Sequence, residues 1–306
     1  PALCAGNACA VKPAPSVARV SETLFSLIPE GLPLIGAWLS HEDTLKAIED
    51  TDAMAFTGST HTGRLLAAHA GKHLKKTVLE LGGSNPFIIL PDADLQRAAI
   101  DACYSRFRDA GQSCNAAKRI IVTQDIAEQF IPLFLAECAK LQTGNPKDPN
   151  TTLAPLHRQD LRQTVHEQVE DAVTHGAQCL SGGYIPEGES WFYPATVLDQ
   201  VNPNCRVWHE EVFGPVAMIL RANNPDHAVA LANDTPFGLG ACIYTADTAN
   251  AWQYAEKIQA GSVFINRHTS SDLRLPFGGV KASGYGRELS EFGLYEFVNV
   301  KTYWQK

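Results

Sequence analysis

A cysteine and a glutamate, each close to glycine, are the residues of this chain with the clearest chemical potential. Cys114 ends the segment Gly-Gln-Ser-Cys at 111–114, and Glu80 precedes Leu-Gly-Gly at 81–83. Glycine lets a backbone come close to a ligand. A thiol is mostly protonated at neutral pH, so a nucleophilic Cys114 needs a general base or backbone N–H groups aimed at its sulfur. The alternative is an inert buried cysteine, which the thiol alone favours, and the surrounding motifs reverse that preference.

The composition is that of an ordinary soluble globular protein and narrows the class of function. The chain has 306 residues, of which 45% are hydrophobic and 19% are charged, with a net charge of −8. This charge argues against nucleic-acid binding, which requires clustered Lys and Arg. No apolar run approaches the roughly 20 residues of a membrane span. Eight scattered cysteines without a Cys-x-x-Cys pair predict reduced thiols and a cytoplasmic location.

Short apolar strands alternate with helical stretches, a pattern that predicts a parallel α/β sheet. Within 1–80, strands are predicted near 8–11, 34–39, 54–57 and 77–79, with helices at 16–28, 41–49 and 62–74. The first of these helices carries Val20, Leu24 and Leu27 on one face. Further on, apolar stripes predict helices around 126–138 and 161–173, and strands are predicted at 119–123, 216–220, 241–244 and 263–265. A chain of this length predicts two domains.

Both ends of the chain have features that require a further segment or subunit. The sequence begins with Pro and enters directly into a turn and strand at 6–13, whereas a dinucleotide-binding sheet begins with a complete strand–turn–helix unit. We therefore expect the N-terminal part of the protein to be lacking. The tail at 297–304 alternates as a strand does. An apolar strand edge needs cover, and a partner subunit is the simplest one.

Three segments place polar groups where a nucleotide could bind. Phe-Thr-Gly-Ser-Thr at 56–60 predicts a strand, a turn at Gly58 and a helix beginning after Ser59, whose N–H donors suit a pyrophosphate. The glycines at 58 and 63 do not follow G-x-G-x-x-G, so a plain serine helix cap is favoured on this motif alone. Lys12 ends a strand and could donate to a ribose or phosphate, or could be solvated. Glu211 and Phe213 offer a carboxylate for a ribose and a ring for a flat heterocycle, although a charged loop with a core phenylalanine is the plainer interpretation.

His69 and His73 lie four residues apart on a predicted helix and could chelate a metal. Neither an H-E-x-x-H motif nor a third ligand at a sensible spacing accompanies them. A solvated helix face is therefore favoured, and no metal site is predicted. The glycine-dense segment 276–288 lacks P-loop spacing and is interpreted as a structured loop crossing between domains.

Six motifs together resemble, in type and order, those of NAD(P)-dependent aldehyde dehydrogenases. They are Gly-Asn-x4-Lys-Pro, Phe-Thr-Gly-Ser-Thr, Glu-Leu-Gly-Gly-Ser, Gly-Gln-x-Cys, Glu-x-Phe-Gly-Pro and Pro-Phe-Gly-Gly-x-Lys-x-Ser-Gly. The resemblance covers the whole chain and matches the C-terminal two-thirds of the family, and stretches at 79–87, 116–119 and 292–297 resemble its bacterial succinate-semialdehyde dehydrogenase branch. It implies an α/β fold with a partial Rossmann-type cofactor domain at 1–79, an α/β catalytic domain at 80–278, and a return loop with an oligomerisation strand at 279–306.

The resemblance implies a mechanism for the oxidation of a small aldehyde with NAD or NADP. Cys114 attacks the aldehyde to form a thiohemiacetal, hydride transfer to the nicotinamide leaves a thioester, and Glu80 activates the hydrolytic water. Succinate semialdehyde is the expected substrate, in a homodimer or homotetramer. The alternatives are another short aldehyde, an inactive relative acting as an oligomer scaffold, and a thiol-dependent esterase or acyltransferase. An inactive scaffold would leave the Cys114 and Glu80 pair without a purpose. An esterase or acyltransferase would leave the cofactor motifs without one.

The resemblance also implies roles for ligand-binding residues. The cofactor residues are Lys12 and Glu211 at the two riboses, Gly58 and Ser59 at the pyrophosphate, Phe213 beside the nicotinamide, and Leu81. The substrate residues are Asn266 near the tunnel, and Arg108, Ser270 and Ser271 at the substrate carboxylate. A structural ion pair with Asp109 is the equal alternative for Arg108.

Two departures from the family pattern concern the active site. The family's oxyanion asparagine belongs to a segment upstream of residue 1, and the Cys114 backbone N–H is the local donor that this chain offers. Pro15 stands where NAD-preferring members carry a glutamate, so we expect NADP to be tolerated.

Overall fold

The computed structural model describes residues 1–188 and 190–306. The strands are β1 (Cys9–Val11), β2 (Leu34–Gly36), β3 (Ala53–Thr57), β4 (Lys76–Glu80), β5 (Asn85–Ile89), β6 (Ala117–Thr123), β7 (Gln178–Ser181), β8 (Thr196–Asp199), β9 (Val216–Ala222), β10 (Ala241–Tyr244), β11 (Val263–Ile265) and β12 (Gly284–Tyr285). The helices are α1 (Ala18–Ser26), α2 (His41–Asp50), α3 (Thr60–Lys72), α4 (Leu95–Phe107), α5 (Gln124–Cys138), α6 (Gln159–Thr174), α7 (Arg206–His209), α8 (Pro225–Asn233), α9 (Thr248–Ala255) and α10 (Ser290–Tyr295). The predicted alternation of strands and helices is thus present.

The chain divides into two compact units. The first unit comprises Pro1–Leu81, Ser271–Gly278 and Gly284–Lys306, and the second comprises Gly82–Ser270 and Gly279–Ser283. The glycine-dense segment 276–288 therefore contributes residues to both units.

The first unit contains two small sheets. Strands β1 and β2 pair in parallel, and β3 and β4 pair in parallel while β12 joins β4 antiparallel, opposite Glu80. Helices α2 and α3 begin where a serine side chain accepts from a backbone N–H, that of Ser40 from Asp43 and that of Ser59 from Thr62. Such caps satisfy an orphan donor of the first turn. The expected serine cap at residue 59 is confirmed.

The apolar face of α1 is exposed. Val20, Leu24 and Leu27 are 62%, 60% and 73% accessible, although their spacing is that of a buried stripe. The helix also begins later than predicted, because a 3-10 turn at Pro15–Val17 precedes it.

The second unit is built on a seven-stranded sheet. Its strand order is β11-β10-β5-β6-β9-β8-β7, with every pair parallel except β7 and β8. The central strands β5 and β6 are buried at every position, as expected for a parallel sheet covered on both faces. Phe87, Ile120, Phe130 and Ile219 are among the fully buried residues of this core. Helix α4 was not predicted from the sequence. Most of its positions are buried, so its apolar residues do not mark one face with a helical period.

The predicted strand at 297–304 is wrong for the single chain, which has no regular secondary structure there. A strand requires a neighbour to pair its backbone groups, and the described chain supplies none to this tail. Val300, Tyr303 and Trp304 are 95%, 82% and 82% accessible.

Candidate active site

Glu80 is the last residue of β4 and a buried carboxyl. It is 3% accessible, and neither side-chain oxygen has a hydrogen-bond partner within the described residues. Burial and, to a smaller extent, the Glu288 carboxyl raise the pKa of Glu80 to about 8, while Arg287 opposes the change. A carboxyl whose pKa lies close to neutral pH is well suited to accept and release protons in catalysis.

Glycines allow the return segment to approach the strand that ends at Glu80. Gly284 has φ +110°, and a Cβ on it would overlap the carbonyl of Leu79. At Gly278 a Cβ would lie 2.9 Å from Glu80 Oε1. Gly278 and Gly284 are therefore required by the close approach of this segment to the end of β4.

Cys114 lies half-buried in the loop between a 3-10 turn at Arg108–Gly111 and strand β6. Three consecutive residues of that turn are left-handed, with φ 53° at Asp109, 53° at Ala110 and 72° at Gly111. Non-glycine residues in this region cost about 1–3 kcal/mol each, and such strain concentrates at functional sites. The fold thus holds the entry to the cysteine loop in a conformation that the chain would not adopt by itself.

A buried lysine holds the backbone of the cysteine loop. Lys118 on β6 is fully buried, and its Nζ donates to the carbonyls of Ser113 at 2.7 Å and Cys114 at 2.9 Å. The same Nζ lies 2.9 Å from Glu211 Oε1. Burial lowers the pKa of Lys118, and the Glu211 carboxylate opposes this change. Sequence reasoning did not assign Lys118 a role, although a charged residue inside the apolar run 117–123 is a usable signal.

Glu211 connects the lysine to the glycine pair that follows Glu80. Its Oε1 accepts from the Gly83 N–H at 3.1 Å, and a Cβ at Gly83 would overlap the Cys114 carbonyl. In the second unit the structure therefore brings together Gly83, Cys114, Lys118 and Glu211. Glu211 and Cys114 were both selected from the sequence, but their connection through Lys118 was not.

Two buried arginines fix neighbouring loops. Arg106 on α4 donates to the carbonyls of Val212 at 3.0 Å and Val216 at 2.6 Å, and also to that of Gly214. These contacts hold the segment that contains Glu211 and the half-buried Phe213. Arg119 donates to Ser84 O at 3.0 Å, to Leu231 O at 2.7 Å and to Ala232 O at 2.6 Å. Burial lowers the pKa of Arg106 to about 9 and that of Arg119 to about 10.

The proposed substrate residues occupy different environments. Arg108 is partly exposed, pairs with Asp109 at 3.3 Å, and lies 5.8 Å from the centre of the Tyr104 ring. Asn266 uses its amide to bind both backbone groups of Thr245, at 2.9 Å and 2.8 Å. The buried Ser270 hydroxyl has no hydrogen-bond partner among the residues described, and its neighbour Thr269 donates to Asn115 O of the cysteine loop at 2.6 Å. Ser271 is exposed and belongs to the first unit.

The predicted cofactor residues Lys12, Gly58, Ser59 and Leu81 belong to the first unit. Lys12 follows β1, and its Nζ is 3.5 Å from Pro13 O. Gly58 and Ser59 are exposed at the N-terminus of the 13-residue helix α3, where N–H donors and the helix dipole favour an anion. Leu81 is buried and packs against the backbone of Gly63, where a Cβ would overlap it. The second glycine of this motif thus serves helix packing.

Comparison with known proteins agrees with the motif order. The model of the aldehyde dehydrogenase family matches residues 1–303. Succinate semialdehyde dehydrogenase [NAD(P)+] Sad of Escherichia coli K12 is 44% identical over 100% of this chain and 67% of its own length. Succinate-semialdehyde dehydrogenase [NADP(+)] 1 of Mycobacterium tuberculosis H37Rv is 44% identical over 99% of this chain and 68% of its own length.

A solved structure gives the same result for the fold. The succinic semialdehyde dehydrogenase of Streptococcus pyogenes, crystallised with NADP+ as the cofactor, superimposes with a TM-score of 0.93 at 36% identity, over 96% of this chain and 66% of that one. The chain therefore spans about two thirds of the length of its relatives. No helix in the described residues is both long and apolar enough to cross a membrane. The predicted α/β aldehyde dehydrogenase fold is confirmed, and the chain belongs to the aldehyde dehydrogenase family, the NAD(P)-dependent oxidoreductases that act on aldehydes.

Proposed function

We propose that the protein oxidises a short semialdehyde, namely succinate semialdehyde, to the corresponding acid with NAD or NADP. The observation that carries this proposal is the anchored cysteine loop, in which Lys118 holds the backbone of Cys114 and Glu211 holds Lys118. The relatives named for succinate semialdehyde support the choice of substrate.

The nucleophile is Cys114. Its sulfur forms a bond to the aldehyde carbon, and the carbonyl oxygen takes up the proton lost by the thiol to become the hydroxyl of a thiohemiacetal. NAD or NADP, when bound, would supply the acceptor for the hydride of that carbon. The hydroxyl proton passes to water as the carbon becomes a thioester carbonyl. The Cys114 backbone N–H is a local donor to the developing negative oxygen, a contribution of the kind made by oxyanion holes.

Hydrolysis needs a base, and Glu80 is the candidate. As a carboxylate it takes a proton from water, whose oxygen bonds to the thioester carbon while the bond to the Cys114 sulfur breaks. Its raised pKa means that a fraction is ionised at neutral pH and that the base is strong when ionised. A general base of this kind contributes about 10²- to 10⁴-fold.

The residues of the first unit fit a dinucleotide. The exposed turn at Gly58 and Ser59 presents the N-terminus of α3, which suits a pyrophosphate, and Lys12 at the end of β1 suits a ribose hydroxyl or a 2′-phosphate. In the second unit Glu211 would hold the other ribose and Phe213 would contact the nicotinamide. Pro15 offers no carboxylate against a 2′-phosphate, so we expect NADP to be used within about tenfold of NAD, or roughly 1.4 kcal/mol.

The substrate carboxylate would be bound by Arg108, with the hydroxyls of Ser270 and Ser271, and Asn266 would line the tunnel. A buried carboxylate requires a cation or several donors, and the unpartnered Ser270 hydroxyl is one such donor. The exposed apolar tail supports a homodimer or homotetramer.

An aldehyde panel tests this function. The purified full-length protein should reduce NAD and NADP with succinate semialdehyde, and Cys114→Ala should abolish turnover while leaving cofactor binding nearly unchanged. Cys4→Ala, at an exposed cysteine, is the matched control and should retain activity. Substantial turnover by Cys114→Ala would contradict the assignment of the nucleophile. A preference for a neutral aldehyde over succinate semialdehyde would contradict the substrate, and a thousandfold preference for NAD would contradict the argument from Pro15.

A further inference from the structure

Two histidines and a glutamate of the first unit converge at the C-terminal ends of two helices. His69 lies in the last turn of α3, His73 directly follows that helix, and Glu49 lies in the last turn of α2. Glu49 Oε1 is 3.1 Å from His69 Nε2 and 3.5 Å from His73 Nε2. All three atoms lie within 4.8 Å of one another. The third ligand that the spacing along the chain did not provide therefore comes from the neighbouring helix.

The two separations between Glu49 and the imidazoles are those of atoms that share one metal ion. Zinc binds imidazole nitrogen and carboxylate oxygen at about 2.0–2.2 Å. Two ligand atoms at such distances lie about 3.0–3.5 Å apart for angles between 90° and 110°, which is the range found between Glu49 and each imidazole. The two rings face the same region, with centroids 4.9 Å apart.

Polarity and access also suit a cation. The C-terminal end of a helix carries the negative part of its dipole, and here both α2 and α3 present that end. His73 Nε2 is buried and has no hydrogen-bond partner among the described residues. The side chains remain 21% (His69), 28% (His73) and 42% (Glu49) accessible, so an ion can enter from solvent and retain a water molecule.

We propose that Glu49, His69 and His73 form a site for one Zn²⁺ ion. Imidazole suits Zn²⁺, Ni²⁺ and Cu²⁺, and a set of two histidines and one carboxylate leaves a fourth position open for water. The ion links α2 to α3 and stabilises this helix pair. His69 Nε2 is also 3.1 Å from Leu45 O, so binding requires its proton to move to Nδ1 or to be released. None of the three residues is among those proposed for catalysis or for binding the cofactor.

Calorimetric titration of the protein, purified without an oligohistidine tag, tests the site. Zn²⁺ should bind with one ion per chain at this site. Glu49→Gln, His69→Gln and His73→Gln should each weaken that binding at least about tenfold, since loss of even an outer partner of a metal ligand costs 10–100-fold. The double variant His69→Gln/His73→Gln should abolish it. His157→Gln removes an exposed imidazole elsewhere and should bind as the wild type does.

Ni²⁺ is the second probe, because imidazole is a good ligand for Ni²⁺ whereas the thiolates of the exposed cysteines are better suited to Zn²⁺. Zn²⁺ should raise the unfolding temperature of the wild type and of His157→Gln, and should do so less for the three ligand variants. Circular dichroism of each variant shows that it is folded. Absence of Zn²⁺ and Ni²⁺ binding to the wild type, or equal binding by the double variant, would overturn the proposal and leave Glu49 as a carboxylate that lies between two imidazoles without a metal ion.

Discussion

At the scale of single residues, the charge state of Glu80 links the fold to the proposed chemistry. Burial and the Glu288 carboxyl raise its pKa to about 8, and Arg287 works against them. A base must be ionised to act, so thioester hydrolysis should increase with pH through about 8 and level off above it. Because the folded pKa exceeds the ordinary value of 4.5, the contribution of Glu80 to stability is present below about pH 4.5 and is lost as pH rises through about 8.

Changes to the two neighbours of Glu80 should move this pH profile in opposite directions. Glu288→Gln removes a like charge and should shift the profile to lower pH, with faster hydrolysis at pH 7. Arg287→Met removes the opposing cation and should shift it to higher pH. The measurement is the slow phase that follows a burst of reduced cofactor in stopped-flow mixing, and Glu80→Gln should flatten the profile. Glu291→Gln, at an exposed carboxylate nearby, should have no effect. Coincident profiles for all variants would show that another group is the base.

Substitution of Arg108 distinguishes a role in substrate recognition from a role in supporting the fold. If it binds the substrate carboxylate, Arg108→Ala should raise KM for succinate semialdehyde by about 10- to 150-fold, the loss of one charge-assisted contact of about 1.5–3 kcal/mol. Butanal has no carboxylate and should be affected far less. Asp109→Asn is the control, because it removes the ion pair of Arg108 and leaves the guanidinium in place. Equal losses on both aldehydes would assign Arg108 to the structure of the cysteine loop.

At the scale of elements, strand β6 carries the cation that organises the cysteine loop. Lys118→Met should leave Glu211 without its cationic partner and remove the Nζ donor from the carbonyls of Ser113 and Cys114. Breaking a buried pair in this way costs about 3–5 kcal/mol, which urea unfolding measures. The double variant Lys118→Met/Glu211→Gln should recover part of the loss. Lys140→Met, at an exposed lysine paired with Glu137, should change stability by about 1 kcal/mol at most.

The Lys118→Met variant also tests whether Lys118 has only a structural role or also increases the reactivity of the Cys114 thiol. The Cys114 sulfur acts on the pKa of Lys118, so the two groups interact electrostatically. Alkylation of Cys114 by iodoacetamide at neutral pH should therefore be slower in Lys118→Met. An unchanged alkylation rate would leave Lys118 with a structural role alone.

At the scale of the whole molecule, the tail should hold subunits together. Tyr303 and Trp304 are largely exposed, and large apolar side chains in such number mark an interface. The double variant Tyr303→Ser/Trp304→Ser should have a lower mass by light scattering after gel filtration. Trp252→Ser, at an exposed tryptophan of α9, should keep the wild-type mass. A double variant with unchanged mass would exclude the tail from the interface.

Much of this protein could be predicted from local patterns. The alternation of strands and helices, the capped start of α3 and the order of six glycine-containing motifs all depend on residues a few positions apart. Short-range spacing determines periodicity, caps and turns. The α/β fold and the candidate roles of Cys114 and Glu80 could therefore be predicted from the sequence. The boundaries of α1 and the strand at 297–304 were not, because exposure and strand pairing depend on neighbours outside the segment.

The tertiary structure decided what depends on contacts between distant parts of the chain. Lys118 and Arg106 hold site loops through Glu211 and the carbonyls at 212–216, and Glu49 joins His69 and His73 from another helix. Burial sets the pKa of Glu80. Which residues can do chemistry follows from the sequence, because side-chain type and local spacing are written in it. Their charges and partners follow from the tertiary packing, because desolvation and contact depend on every segment packed around them.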